Sequence, residues 1–286
     1  MPRSAPIGNS GAMNMIAALL EQRTGQQIAA NRAWRIETAL KPVLRERGLA
    51  TLDELVAQLM AARTGELGDQ VVDALLNQET SFFRDAAVLD MIADAAQAMQ
   101  AEAGGRRIRI WSSGCSNGQE PLSLAMLLNE RGMGEGVNAP DIIATDVSPS
   151  ALARARAGRY SQFEIQRGLA VRRMMTWFDS VGGDWVARPE LVRKLQFRQH
   201  NLTADAPPSG KFDIILCRNV LLYFSLPVRS KVFEILASAV RPGGLLVLGA
   251  GETVIGLTDK FKPSEQYRGF YSAVAAEAEM PRTALG

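Results

Sequence analysis

Apolar residues recur at three- and four-residue intervals from about residue 12 to residue 104, so the first third of the chain predicts helices and no strand. MNMIAALLEQRTG carries one such stripe and stops at Gly25. A second stretch, IAANRAWRIETAL, runs into Pro42, whose ring breaks it, kinks it or opens the next turn. Thr51 stands as an N-cap, with Glu54 three residues on completing a capping-box pattern. The periodicity continues over 68–76, and 85–103 predicts a long alanine-rich helix.

After Gly104 and Gly105 the pattern changes. RIRIWSS is short and β-branched, DIIAT, FDIILC and LLVLGA read as further strands, and the helical stretches PLSLAMLLNERG, SPSALARARAG and LPVRSKVFEILASAV lie between them. Ser148 suits an N-cap and Gly158 a helix stop. Strands alternating with helices predict a mainly parallel sheet covered on both faces, an α/β fold. The last two strands, LLVLGA and GFYSAV, lack a clear helix between them and predict an antiparallel end. Between Tyr160 and Leu202 the alternation breaks, and a Gly-Gly turn predicts a small β insertion at about 178–200. Met174, Met175, Trp177 and Phe178 read there as packing, and the tail MPRTALG as disordered.

Composition narrows the chemistry. The 286 residues carry a net charge of only +2, which gives no strong pull toward nucleic acid or membrane. No run approaches the ~18 apolar residues of a membrane span, and the N-terminus lacks the apolar core of a signal peptide. A cytoplasmic protein with no membrane insertion is expected. Two cysteines, Cys115 and Cys217, are too few for a disulfide framework or a zinc cluster and read as small buried fillers. His200 is the only histidine, so Ser-His-Asp hydrolysis, two-histidine metal sites and histidine phosphotransfer lack their parts. His200 itself reads as structural, and no metal is expected.

The turn after the first strand, SSGCSNGQEP, is where an open parallel sheet binds ligands. Gly114 and Gly118 let the backbone approach a ligand, or simply make a tight turn. The dinucleotide pattern GxGxxG is absent. Glu120 puts a carboxylate at a helix N-terminus, where a pyrophosphate would otherwise sit. Asp146, ending the second strand, suits ribose hydroxyls or an N-cap. Together these favour a phosphate-free nucleoside bearing an ammonium group, such as S-adenosylmethionine.

NQETSFFRD at 77–85, GCSNGQEP, ATDVS, GRYS, HNL at 200–202 and CRNVLLYF at 217–224 match the chemotaxis receptor methyltransferase family in order and spacing. The chain resembles that family from about residue 12 to about 275. The resemblance implies an all-helical N-terminal domain at 12–76. A class I, Rossmann-like S-adenosylmethionine-dependent methyltransferase domain with a β subdomain would follow at 77–276. It implies methyl transfer to glutamate side chains of chemoreceptors, in adaptation. By the same resemblance, Gln78, Thr80, Arg84, Gly114, Glu120, Asp146, Asn201, Leu202, Arg218 and Asn219 would bind the cofactor, with Arg84 and Tyr223 catalytic. At position 78 the family usually has Asn, and Gln extends the amide by one carbon.

Methyl transfer to a carboxylate that is already ionised, with a pKa near about 4.3, requires no general base. A near-absence of histidine is therefore no handicap. Arg84 suits orientation of the incoming carboxylate, against a surface salt bridge as the bland reading. Tyr223 would steer the substrate, or be a half-buried core aromatic. Arg32, Arg35, Lys41, Arg45 and Arg47 form a basic cluster, read equally as a solvated face or as a complement to an acidic receptor helix bundle. Some family members tether a receptor's C-terminal peptide by strand addition to the β subdomain, here GGDWVARPEL. Two rivals stand beside this reading. A methyltransferase acting on RNA or a small molecule conflicts with the near-neutral charge and the missing aromatic-basic interleaving. A cofactor-binding sensor without catalysis has no need of Arg84 and Tyr223.

Overall fold

The computed structural model describes residues 8–29, 34–62, 65–136 and 139–274. Arg32 and the tail at 280–286 lie outside them. Helices α1 (Gly8–Thr24), α2 (Trp34–Glu46), α3 (Leu52–Ala61) and α4 (Glu66–Leu75) share a core of their own. Ile16, Leu20, Ile36, Leu40, Leu55 and Val71 are its centre, each at most 2% exposed. Pro42 does not end α2. The stripe Ile36, Leu40, Val43 stays buried across it, so packing outweighs the lost backbone bond. The Thr51 hydroxyl accepts from Glu54 N, while the Glu54 carboxylate reaches back to Ala50 N rather than to Thr51 N. A complete capping box forms instead at Ser161 and Glu164.

The stretch 77–85 interrupts the helical region as an extended strap and turn before α5 (Ala86–Glu102). Beyond it run β1 (Arg109–Ser113), α6 (Gln119–Glu130), β2 (Asp141–Asp146) and α7 (Pro149–Ala157). Ser148 caps α7 by accepting from Ala151 N, and Gly158 ends it at φ 58°.

Three short strands make a separate antiparallel sheet: β3 (Arg159–Ser161), β4 (Phe178–Val181) and β5 (Asp184–Ala187), in the order β3-β5-β4. Between and after them come α8 (Gln162–Gln166), α9 (Val171–Trp177) and α10 (Pro189–Val192). The insertion expected at 178–200 is thus divided. Its hairpin recruits β3 from upstream, and its last strand, β6 (Leu195–Gln199), pairs parallel with β2 in the main sheet. β6 is an edge strand with Leu195 buried and Gln196, Arg198 and Gln199 exposed, a half-buried alternation that resembles a hairpin arm. Trp177 and Phe178 are buried, whereas Met175 is exposed.

The chain then closes the main sheet with β7 (Phe212–Cys217), α11 (Leu226–Ala239), β8 (Val240–Leu248), β9 (Phe261–Pro263) and β10 (Phe270–Ala273). Its order is β6-β2-β1-β7-β8-β10-β9, with β10 antiparallel to both neighbours. Ile110, Ile142 and Ile214 face the core under α5 and α6, while Trp111, Ile143 and Ile215 face the core under α11. That period of two, with both faces buried, explains why the strands read as continuous apolar runs. Asp213 is an exception on β7. It is nearly buried, and it accepts from Arg106 and from Arg109 N, fastening β7 to the lead-in of β1.

Candidate functional site

After β1 the chain leaves for β2 and β6, and it returns to pair β7 against the other side of β1. This reversal opens a cleft beyond the carboxyl ends of β1, β2 and β7, the usual ligand position of such a sheet. Gly114 N and Cys115 N both donate to Thr145 O at the end of β2. Gly114 has φ 73°, and a Cβ there would stand 2.4 Å from Val220 Cγ2, so the turn admits no side chain. Gly118, at φ 89°, packs likewise against Ala155.

Two acidic groups meet at this turn. Asp146 is 9% exposed, and its two oxygens accept from Ser116 N at 2.7 Å and Ser148 N at 2.9 Å. Glu120, in the first turn of α6, accepts from Ser112 Oγ at 2.9 Å and from Arg218 Nη1 at 3.0 Å. The Arg218 side chain is 2% exposed and also reaches Asp85 at 2.6 Å. One guanidinium shared by two carboxylates leaves a negative charge over, with Asp146 beside it. Such a cleft repels phosphate and suits a cation. Its wall is apolar on another side, formed by Val147, Leu202 and Val220. This donor set fits a phosphate-free ammonium- and sulfonium-bearing nucleoside.

The strap at 77–84 borders the opening. Gln78, Thr80 and Arg84 all line the cleft, as do Asn219, Tyr223 and His200. The Gln78 side-chain oxygen is engaged by Ser116 Oγ at 2.9 Å, so the longer amide braces the turn after β1. Arg84 makes no side-chain hydrogen bond or ion pair among the described residues, while its carbonyl accepts from Arg218. Asn201 is set apart from the other sequence-selected residues. It does not line the cleft, and its amide donates to Arg23 O and accepts from Thr203, tying this loop to the end of α1. From the same side Thr24 and Gln26 roof the cleft. Gln27 N donates to Tyr223 O, and Gln26 bridges to Phe224.

Sequence reasoning passed over several residues. Asp85 completes the Arg218 cluster, and Ser112 and Ser116 hold the two acids. Glu252, beyond β8, accepts from Asn219 N, Leu222 N and Gly249 N and so shapes the loop after β7. Asn77 donates to the Tyr223 hydroxyl. A signal existed for Asn77 and Asp85, the first and last residues of the NQETSFFRD motif, and for Ser116 inside GCSNGQEP. Four non-glycine residues have left-handed φ among the described residues, namely Phe83, Asp85, Ser116 and Asn219. All four belong to the segments that border the cleft, where such strain is commonly held.

Burial raises the Asp146 carboxyl above its ordinary value, opposed by the Ser148 and Ser116 amides. Burial, reinforced by nearby carboxylates, pushes both the Cys115 and Cys217 thiols well up, so both stay protonated and unreactive. Burial lowers His200, partly offset by its bond to Ala206 O. His200 packs edge-on against Trp111, and its Nδ1 is buried without a partner.

A family model described as "CheR methyltransferase, SAM binding domain" matches residues 78–270. A chemotaxis protein methyltransferase of Vibrio parahaemolyticus is 39% identical, over 85% of this chain and 89% of its own. Chemotaxis protein methyltransferase Cher2 of Pseudomonas putida is 35% identical, over 85% of this chain and 90% of its own. Among solved structures, a TehB-like SAM-dependent methyltransferase from Corynebacterium glutamicum is 17% identical with a TM-score of 0.36, covering 63% of this chain and 84% of that one.

Gly114→Ala should cost about 1–3 kcal/mol of stability through overpacking against Val220, and weaken S-adenosylmethionine binding. Thermal melts and calorimetry will read both, and unchanged values would mean that the turn relaxes freely. His200 supplies a pH test. Because its folded pKa lies below the unfolded value, the unfolded chain takes up a proton first as pH falls. Stability should therefore be greater near about pH 7.5 than near about pH 5.5, and the drop should shrink in His200→Gln. Equal drops in urea titrations of the two proteins would remove His200 as the cause.

Proposed function

The chain belongs to the CheR methyltransferase family, and on that premise we propose that it methylates glutamate side chains of chemoreceptors. It is a chemotaxis protein methyltransferase dependent on S-adenosylmethionine. The finer reading, a protein-glutamate O-methyltransferase, rests chiefly on Arg84. Among the described residues its guanidinium makes no ion pair or hydrogen bond, yet it lines a cleft whose other charges are satisfied or acidic. A positive group left open beside an acidic nucleoside site has one evident use, to receive a carboxylate.

When bound, S-adenosylmethionine supplies an electrophilic methyl group on a sulfonium. Glu120 would hold its ammonium, Asp146 its ribose hydroxyls, and Leu202 would border its base. Gly114 lets the backbone approach, Thr80 and Asn219 line the methyl-transfer region, and Gln78 acts through the turn it braces. Arg218 holds Glu120 in place through their ion pair. Arg84 and Tyr223 are the proposed catalytic pair, orienting the acceptor oxygen. Alignment of this kind can recover roughly 7–11 kcal/mol of a barrier. An ionised glutamate needs no base.

This reading takes residues 12–76 as a helical domain and 77–276 as the catalytic domain, with β3, β4 and β5 as its β subdomain. Charge on α2, from Arg35, Lys41 and Arg45, would complement an acidic receptor helix bundle. A receptor's C-terminal peptide could add to the edge of the small sheet. A cytoplasmic site of action follows from such a substrate, and no described helix is long and apolar enough to cross a membrane.

The decisive experiment supplies chemoreceptor-containing membranes with methyl-labelled S-adenosylmethionine. Base-labile label on receptor glutamates is the expected result. Label on RNA, or cofactor binding with no transfer, would overturn the proposal. Arg84→Ala should bind the cofactor normally and lose about 10²-fold in turnover; near-normal turnover would remove Arg84 from the mechanism.

A further inference from the structure

A second cavity lies against the cofactor cleft, lined by Leu20, Gln27, Arg35 and Ala74 among others. Gln26, Leu76, Asn77, Leu222 and Tyr223 line both spaces, so Asn77 and Tyr223 belong to the partition between them. The hydrogen bonds around Asn77 fix which way its amide faces. Arg35 Nη2 and Glu79 N, at 3.4 Å each, both approach Asn77 Oδ1. A guanidinium and a backbone amide can only donate, so the atom facing them must be the oxygen. The other end, Nδ2, therefore faces the Tyr223 hydroxyl and donates to it.

This orientation determines the phenol's role. A hydroxyl carries one proton and two lone pairs. With a lone pair taken by Asn77, which offers no acceptor on that side, the Tyr223 proton has no partner among the described residues. We propose that Asn77 is a positioning residue that holds Tyr223 as a hydrogen-bond donor toward the incoming substrate carboxylate. Arg35, on the far side, sets the direction by holding the amide oxygen. The inference rests on the reading of Tyr223 as a carboxylate-orienting residue, and it adds the group that gives the hydroxyl its polarity.

Asn77→Asp tests this with almost no change of shape. An aspartate keeps an acceptor for Arg35 and Glu79 N but turns its second oxygen toward Tyr223, which would then donate to the partition instead of the substrate. Its kcat should fall to the level of Tyr223→Phe, about tenfold or more, with KM for the receptor changed much less. Asn77→Ala, which frees the hydroxyl without reversing it, should lose less than Asn77→Asp. In the Tyr223→Phe background, Asn77→Asp should cost almost nothing further, because the two act through one hydroxyl. Normal kcat in Asn77→Asp, or an undiminished loss in the Tyr223→Phe background, would overturn the proposal. Normal kcat in Tyr223→Phe would overturn it together with the catalytic role of Tyr223. The hydroxyl's state is also read without turnover, from the Tyr223 C–O stretch in infrared spectra of wild type minus Tyr223→Phe. A phenol that donates has a stiffer, more phenolate-like C–O bond and absorbs at higher frequency than one that accepts, so Asn77→Asp should raise the band. An unmoved band sinks the inference even where receptor methylation itself fails.

Discussion

At the carboxyl end of β7 a guanidinium is held out of water between two carboxylates. Arg218 reaches Glu120 on α6 and Asp85 at the head of α5, and one of its nitrogens donates to Arg84 O. Desolvating an arginine costs several kcal/mol unless it is paired and hydrogen-bonded, and here both Nη atoms are engaged while Nε has no partner among the described residues. Burial at 2% therefore requires the strap at 84–85, the start of α6 and the end of β7 to arrive together. Each of these segments also lines or supports the cleft. The pair of acids around one base sets the local charge and keeps Glu120 aimed inward, and the same contacts leave the Arg84 side chain uncommitted.

Around that cluster the backbone is shaped by contacts distant in sequence. Glu252 gathers three amides, one of them from Asn219, which stands at φ 59°. Asp146 gathers the amide of Ser116, itself at φ 50°. Left-handed conformations at non-glycine residues are costly, and these two persist because a carboxylate, half-buried in Glu252 and buried in Asp146, receives the amide each presents. The carboxylates thus serve the loops first. Asp146 also lines the cleft, and its backbone donors offset only part of its burial.

The helical region completes the site from above. Its own core is separate from those of the sheet, yet Thr24, Gln26 and Gln27 at its exit and Asn77 at its return contact the loop carrying Tyr223. Asn201, aligned by motif with a base-binding position, spends its amide on Arg23 and so belongs to this junction. Arg35 of α2 stands on the same side, lining with Asn77 and Tyr223 the space next to the cleft.

Local pattern carried much of this. Period-two and period-3.6 repeats marked β1, β2, β7, α5, α6 and α7, because burial on one or both faces leaves its imprint directly on residue type. Glu120, Asp146 and the turn glycines were legible because a strand end followed by a helix start fixes their place without knowledge of the rest. Motifs in order added Arg84, Arg218 and Tyr223. What only tertiary structure decided were pairings across long separations. Leu195–Gln199 became an edge strand of the main sheet, α2 ran through Pro42, and Asp85, Glu252 and Asn77 met their partners 133, 33 and 146 residues away. A polar side chain's role depends on which donor or acceptor the fold brings opposite it, and no periodicity along the chain records that.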